Sequence, residues 1–271
     1  MALEGVVSTE LFSTEAVNDL VVTPLFRTSV ALAALRTVPV RGTSVWLPTV
    51  SSGTASWYSD LDEIAESGAA AAEVEITPRK VAALRTVSNE SAADASAASI
   101  LGQALVSELA MAVDKGAFTG SGPKGPLGFP GIVGPSTVVG APDDLDVFID
   151  AIAAVEAAGG QAGAIFLNPS TWAALSKIKS TAGGSLPVLS PSVAGAVTRS
   201  LYGVPVHVSQ FVDAAVAWVV DVERTAAFVR MPFNVAVDTS SAFTRDGVQV
   251  RATGRVEIAS MYPLTVCRIG V

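Results

Sequence analysis

The chain has 271 residues, half of them hydrophobic, with 17 basic against 25 acidic side chains and a net charge of −8. That balance excludes a dedicated nucleic-acid binder, which would carry a basic patch or a high pI. Mean hydropathy is +0.49, yet the longest apolar runs, Ala31 to Leu35 and Ala214 to Val220, fall far short of the roughly 18 residues that a bilayer span needs. The length allows one large domain or two modest ones with a substantial core. The start, Met-Ala-Leu-Glu-Gly-Val-Val-Ser, has neither a basic nor an apolar leader region, so no signal peptide is expected. An apolar, weakly charged chain of this kind is expected to hide surface against copies of itself. The lone Cys267 excludes an intrachain disulfide and fits a cytoplasmic folding compartment.

Residues 1 to about 37 read as an extended arm with one short helix, Thr14 to Val22, ended by Pro24. Val38 to Val50 alternates and is β-branched around a Gly42-Thr43 turn. A Ser/Gly/Ala-rich, acidic stretch follows from 51 to 72, and Glu73 to Val87 reads as one returning strand. Two strands flanking a polar tip make a long hairpin with no core of its own. Such an arm needs another subunit to lie on.

Ser91-Ala-Ala-Asp94 approximates a capping box. It opens a helix over about 91–118, with Leu101, Leu105, Leu109 and Val113 on one face. The helix runs into Gly120 to Gly131, where five glycines and three prolines rule out regular structure. Asp143-Asp-Leu-Asp begins a second helix bearing Leu145, Phe148, Ile149, Ile152 and Val155, which Gly159-Gly160 stops. Ala164 to Leu167 reads as a buried strand. Asn168-Pro169 is an N-cap and N1 pair for a helix carrying Trp172, Leu175 and Ile178. After a loop, Thr181 to Ser192, the remainder is β-rich to the end.

The order arm, hairpin, long helix, Gly/Pro elbow, α/β segment and closing strands resembles the HK97-fold family, the major capsid proteins of tailed bacteriophages. Asn168-Pro-Ser-Thr-Trp-Ala-Ala-Leu, Leu201-Tyr-Gly-Val-Pro-Val and Val250-Arg-Ala-Thr-Gly-Arg-Val-Glu-Ile resemble family patterns, in family order. Each is weak alone; together with the elbow they cover nearly the whole chain. The resemblance implies an α+β fold with an N-terminal arm (1–37), an E-loop hairpin (38–87) and a spine helix with its elbow (88–131). An A-domain (132–226) and returning P-domain strands (227–271) complete it.

The function so implied is structural: self-assembly into hexamers and pentamers forming an icosahedral shell around double-stranded DNA. The implied partners are further copies of the chain, DNA held without sequence specificity, portal and scaffolding proteins and a decoration protein, with no membrane. The implied place is the virion capsid, assembled in the host cytoplasm. Some relatives begin with a long scaffolding segment, whereas this arm begins almost at Met1, so scaffolding is expected from another chain or not at all. An encapsulin-type nanocompartment shares the fold and length. A soluble α/β enzyme is the alternative from another class.

The residues offer little chemistry. His207, the only histidine, alternates with apolar residues in Val204-Pro-Val-His-Val, and no nucleophile elbow appears. It reads as a strand histidine, and Cys267 as a buried small apolar side chain. One His and one Cys cannot build a closed zinc site of nitrogen and sulfur ligands. Gly120-Ser-Gly-Pro-Lys-Gly125 matches the dinucleotide fingerprint formally, but follows a helix rather than a strand. No cofactor is expected. The acidic run Asp60, Asp62, Glu63 and Glu66 reads as a solvated face, a cation site, or a tip pairing with Arg245, Arg251 or Arg255 of a neighbouring subunit. Trp57 and Tyr58 beside it would be contact anchors.

Overall fold

The computed structural model describes residues 23–50, 56–60, 63, 71–88, 95–120, 122–179, 199–238 and 240–270. The arm up to Val22, the capping box at 91–94, Asp62 and the loop expected at 181–192 lie outside the described residues.

Helices α1 (Thr23–Thr28) and α2 (Val30–Ala34) lead into strand β1 (Arg36–Pro39). A two-stranded ribbon follows, β2 (Val45–Val50) with β3 (Ala71–Ile76), paired from Val45–Ile76 to Val50–Ala71. The strand expected to return unbroken to Val87 divides at Thr77-Pro78. Beyond it, β4 (Arg79–Ser88) leaves the ribbon and pairs with β11 (Gly247–Ser260). Pro78 has no N–H to give a ladder, so the break falls there. The ribbon base packs on the body of the subunit in a small core shared with β10. Ile76 packs with Val40, Ala226 and Phe228, and with Val45, Leu47 and Val74.

The long helix α3 spans Ala95–Thr119, about 37 Å at 1.5 Å per residue. Its Leu105, Leu109 and Val113 are buried, as their spacing requires. They rest on a four-stranded sheet of order β1-β10-β11-β4, in which β10 is Thr225–Asp238 and β1 runs parallel to it. Even-numbered residues of β11, among them Val250, Ala252, Val256 and Ile258, face the helix. The β10–β11 register shifts around Pro232, where a ladder donor is missing.

The second sheet has the order β5-β12-β9-β6-β8-β7. Its strands are β5 (Ser136–Val138), β6 (Ala164–Leu167), β7 (Ser200–Leu201), β8 (Val204–Val208), β9 (Val216–Val220) and β12 (Val266–Gly270). Helices α4 (Leu145–Ala157) and α5 (Pro169–Lys177) cover one face. Asp144 caps α4 by accepting from Asp146 N–H, and Gly159, at φ +75°, ends it. Asn168 caps α5 through Ser170 N–H and donates to the Val212 carbonyl at 2.6 Å.

Strand alternation sorts this sheet between two cores. Ile165, Leu167, Val219, Cys267 and Ile269 face α4 and α5. Ala164, Phe166, Trp218, Val220 and Val266 turn the other way and join the core under α3.

Candidate subunit interface

The Gly/Pro elbow after α3 is where these layers join. Phe129 is fully buried, its ring 5.5 Å from those of Phe118, Phe166 and Trp218. One side chain thus bridges the helix end and the second sheet. Gly128 sits at φ +61°, and a Cβ there would meet the Ala117 and Gly116 carbonyl oxygens at 2.4 Å. Only glycine fits so close to the last turn of α3.

Two buried carboxylates, neither foreseen from sequence, hold this frame. Pairing of β4 with β11 ends at Arg79–Val256, so Glu257 lies beyond the edge of β4, where the elbow reaches it. Its carboxylate accepts from Leu127 N–H (2.9 Å), Gly128 N–H (3.2 Å) and Ile258 N–H (3.3 Å). Burial pushes its pKa up, against the pull of those donors and of Arg79. On α3, Asp114 accepts from the Ser29 hydroxyl (2.6 Å), Val30 N–H (3.0 Å) and Ala31 N–H (3.0 Å). It thereby caps α2 from a distance. Burial raises its pKa too, opposed by the Ser29 hydroxyl and by the Ala31 and Val30 N–H groups. The only sequence signal for either was a carboxylate inside an otherwise apolar pattern.

The residues expected to make contacts lie at the surface. Arg251 is exposed and Arg255 half-buried on β11. They share the face turned away from α3 with Leu84 and Lys80, their cross-strand partners on β4. Arg245 ends a single 3-10 turn between β10 and β11 and is exposed. Trp57 is fully exposed, Asp60 and Glu63 are exposed, and Tyr58 is partly so. Among the described residues no ion pair joins Asp60 or Glu63 to any of these arginines within one chain. A groove of about 500 Å³ separates the ribbon base from the elbow, lined among others by Val74, Ile76, Leu127, Val133, Ile258 and Pro263.

The phage capsid family matches residues 12–267. The chain belongs to that family. It is a capsid protein, and both family and fold point to a structural rather than a catalytic role. Solved capsids share the fold. One is the capsid of an empty GTA particle, 21% identical over 90% of each chain with a TM-score of 0.68. Another is from Microbacterium phage Oxtober96, 21% identical over 90% of this chain and 91% of the other, TM-score 0.69. A virus-like particle from Pyrococcus furiosus is 10% identical over 94% and 98%, TM-score 0.67. No curated protein matches the chain.

Within this capsid protein the chemistry-bearing side chains have structural settings. The His207 ring lies 5.5 Å from that of Phe166, and burial lowers its pKa. Cys267 is fully buried, its thiol pushed up to about 11 by burial, which makes it a poor nucleophile. Gly120 to Gly125 follows α3 and forms a single 3-10 turn at Gly122–Lys124, not the strand-to-helix turn that cradles phosphate. Among the described residues no group of three or more His, Cys, Asp or Glu could hold a metal ion. No described helix is long and apolar enough to cross a membrane.

Proposed function

We propose that this capsid protein assembles into pentamers and hexamers that close an icosahedral shell around double-stranded DNA. The observation that carries the reading is the β2–β3 ribbon. Its base is anchored by Ile76 and Phe228, while Trp57 toward its tip is wholly exposed. A large bare aromatic in the connection between two paired strands is a contact waiting for a neighbour. In this reading the ribbon of one copy lies across the next. Asp60, Asp62 and Glu63 then meet the arginines at 245, 251 and 255, and many modest contacts sum to a stable cage. α3 is the rigid strut. The net charge of −8 suits a container whose DNA must enter and leave without tight phosphate contacts.

The domain limits that go with this reading are an arm to 37, a hairpin to 87, a spine and elbow to 131, an A-domain to 226 and closing strands to 271. Assembly would take place in the host cytoplasm, with portal, scaffolding and decoration proteins as further partners. An encapsulin-type compartment is the second reading, supported by the likeness to a virus-like particle.

Electron microscopy of the purified protein tests both. Shells tens of nanometres across that contain DNA support the phage reading, and protein-filled shells support the compartment. A monodisperse 27.5 kDa monomer at micromolar concentration would exclude both. Neutralising the tip (Asp60→Asn, Asp62→Asn, Glu63→Gln) should weaken assembly more at low salt than at high. Exposed ion pairs are screened over about 8–10 Å near physiological ionic strength.

A further inference from the structure

The groove of about 500 Å³ between the ribbon base and the elbow is lined by apolar side chains, Val74, Ile76, Leu127 and Val133 among them, and by Glu73 and Glu75 of β3. Trp46 of β2 stands directly opposite Glu75 in the ribbon register, and Glu73 is one same-face pair further on. The ring is 57% exposed, and both carboxylates are exposed. Among the described residues neither Glu73 nor Glu75 forms an ion pair, and no cation lies over Trp46. Arg79, the one cation lining the groove, exerts its pull on Glu257. Two like charges on one strand face beside a bare indole call for a cation.

The same chain has no side chain to spare for the place. All 17 lysines and arginines lie among the described residues, so the segments outside them carry no basic side chain. The cation therefore comes from another molecule. A second copy offers it in suitable form. Its Arg41, Arg199 and Arg245 are exposed, stand outside the β-strands and form no ion pair among the described residues. A guanidinium suits the place better than an ammonium, because its plane stacks on an indole while its fork meets carboxylates. We propose that the ribbon base is the receptor for one of these arginines from a second copy, its guanidinium held by Trp46, Glu73 and Glu75. The apolar groove takes the residues beside it.

This inference rests on the shell reading, and its test keeps the two apart. Full-length parent, Trp46→Ala, Glu75→Gln and Glu75→Arg proteins are assembled side by side, and light scattering gives the concentration at which shells appear. That concentration should rise about tenfold for Trp46→Ala and for Glu75→Gln, as expected for an interface anchor. Glu75→Arg should form no shells where the parent does. Arg41→Glu, Arg199→Glu or Arg245→Glu is then added to the Glu75→Arg chain, and one of the three should restore shells, which also shows that chain to be folded. Unchanged assembly of Trp46→Ala and Glu75→Gln, or failure of all three reversals, would overturn the contact. Absence of shells from the parent counts against the shell reading. Sedimentation of the soluble full-length chain then decides the contact: weaker self-association of Glu75→Arg than of the parent upholds it, and equal self-association, or none in either, overturns it.

Discussion

The Asp114 carboxylate lies 2.6 Å from the Ser29 hydroxyl, a buried hydrogen bond spanning 85 residues of chain. It ties the long helix α3 to the start of α2, whose own N-cap is Ser29. Asp114→Ala would strand three donors, two of them backbone N–H groups at the start of α2. The expected loss is about 3 kcal/mol, since each buried unsatisfied group costs roughly 1–3 kcal/mol and partial rehydration offsets some of it. Ser29→Ala should cost less, about 1 kcal/mol, because Asp114 keeps its backbone donors. Urea unfolding of the dissociated subunit measures both.

The pH dependence of Glu257 has a definite sign. Burial, its largest influence, raises its folded pKa above the ordinary 4.5, as burial raises Asp114 above 3.8. The folded chain therefore binds these protons more tightly than the unfolded chain does. That contribution to stability is fully present below the ordinary carboxylate range and is lost as pH rises through the folded value. Relative to Glu257→Gln, the parent should gain stability between pH 7 and pH 4, other carboxylates cancelling in the difference. A difference that shrinks toward acid would show that the elbow's N–H donors outweigh desolvation.

Two glycines give a matched steric test. Gly128 and Gly134 both have positive φ, but a Cβ at Gly134 meets nothing within 4 Å, whereas at Gly128 it strikes carbonyl oxygens. Gly134→Ala should cost about 1 kcal/mol, the left-handed backbone penalty alone. Gly128→Ala should cost upwards of about 3 kcal/mol, because backbone must also move. Thermal unfolding of the two variants side by side checks the contrast.

The elements were largely legible because they follow local rules. The periodicity of Leu105, Leu109 and Val113, the Asn168-Pro169 cap and the short apolar run of β6 each predicted their structures. What escaped was non-local. Nothing near Asp114 or Glu257 in sequence says that Ser29 or the elbow will reach them. The core at the ribbon base also escaped, since Ile76 and Phe228 are 152 positions apart in the numbering of the chain. Surface residues such as Trp57 and Arg251 were easy to nominate, because a single chain leaves them bare.

The shell should hold without covalent cross-links. Some relatives lock the cage with a Lys–Asn isopeptide bond delivered by the hairpin. Here the stretch Val50 to Glu73 contains no lysine, and Lys80 lies beyond the ribbon on β4. Boiled particles should run as one band near 27.5 kDa on a denaturing gel. A ladder surviving heat and reductant would contradict this.

Phe129 has a mechanical consequence. By packing on Phe118, Phe166 and Trp218 at once, it ties the end of α3, which rests on the first sheet, to the second sheet and so joins the two into one plate. In the pentamer-and-hexamer reading proposed above, the same plate would sit at five-fold and six-fold positions, which demand different tilts. With the plate stiff, that angular tolerance would fall to the ribbon, whose base meets the plate through the few side chains around Ile76 and Phe228. Bulkier or tighter packing at that small pivot would leave each plate intact while narrowing the range of curvatures, and so of particle sizes, that the protein can build.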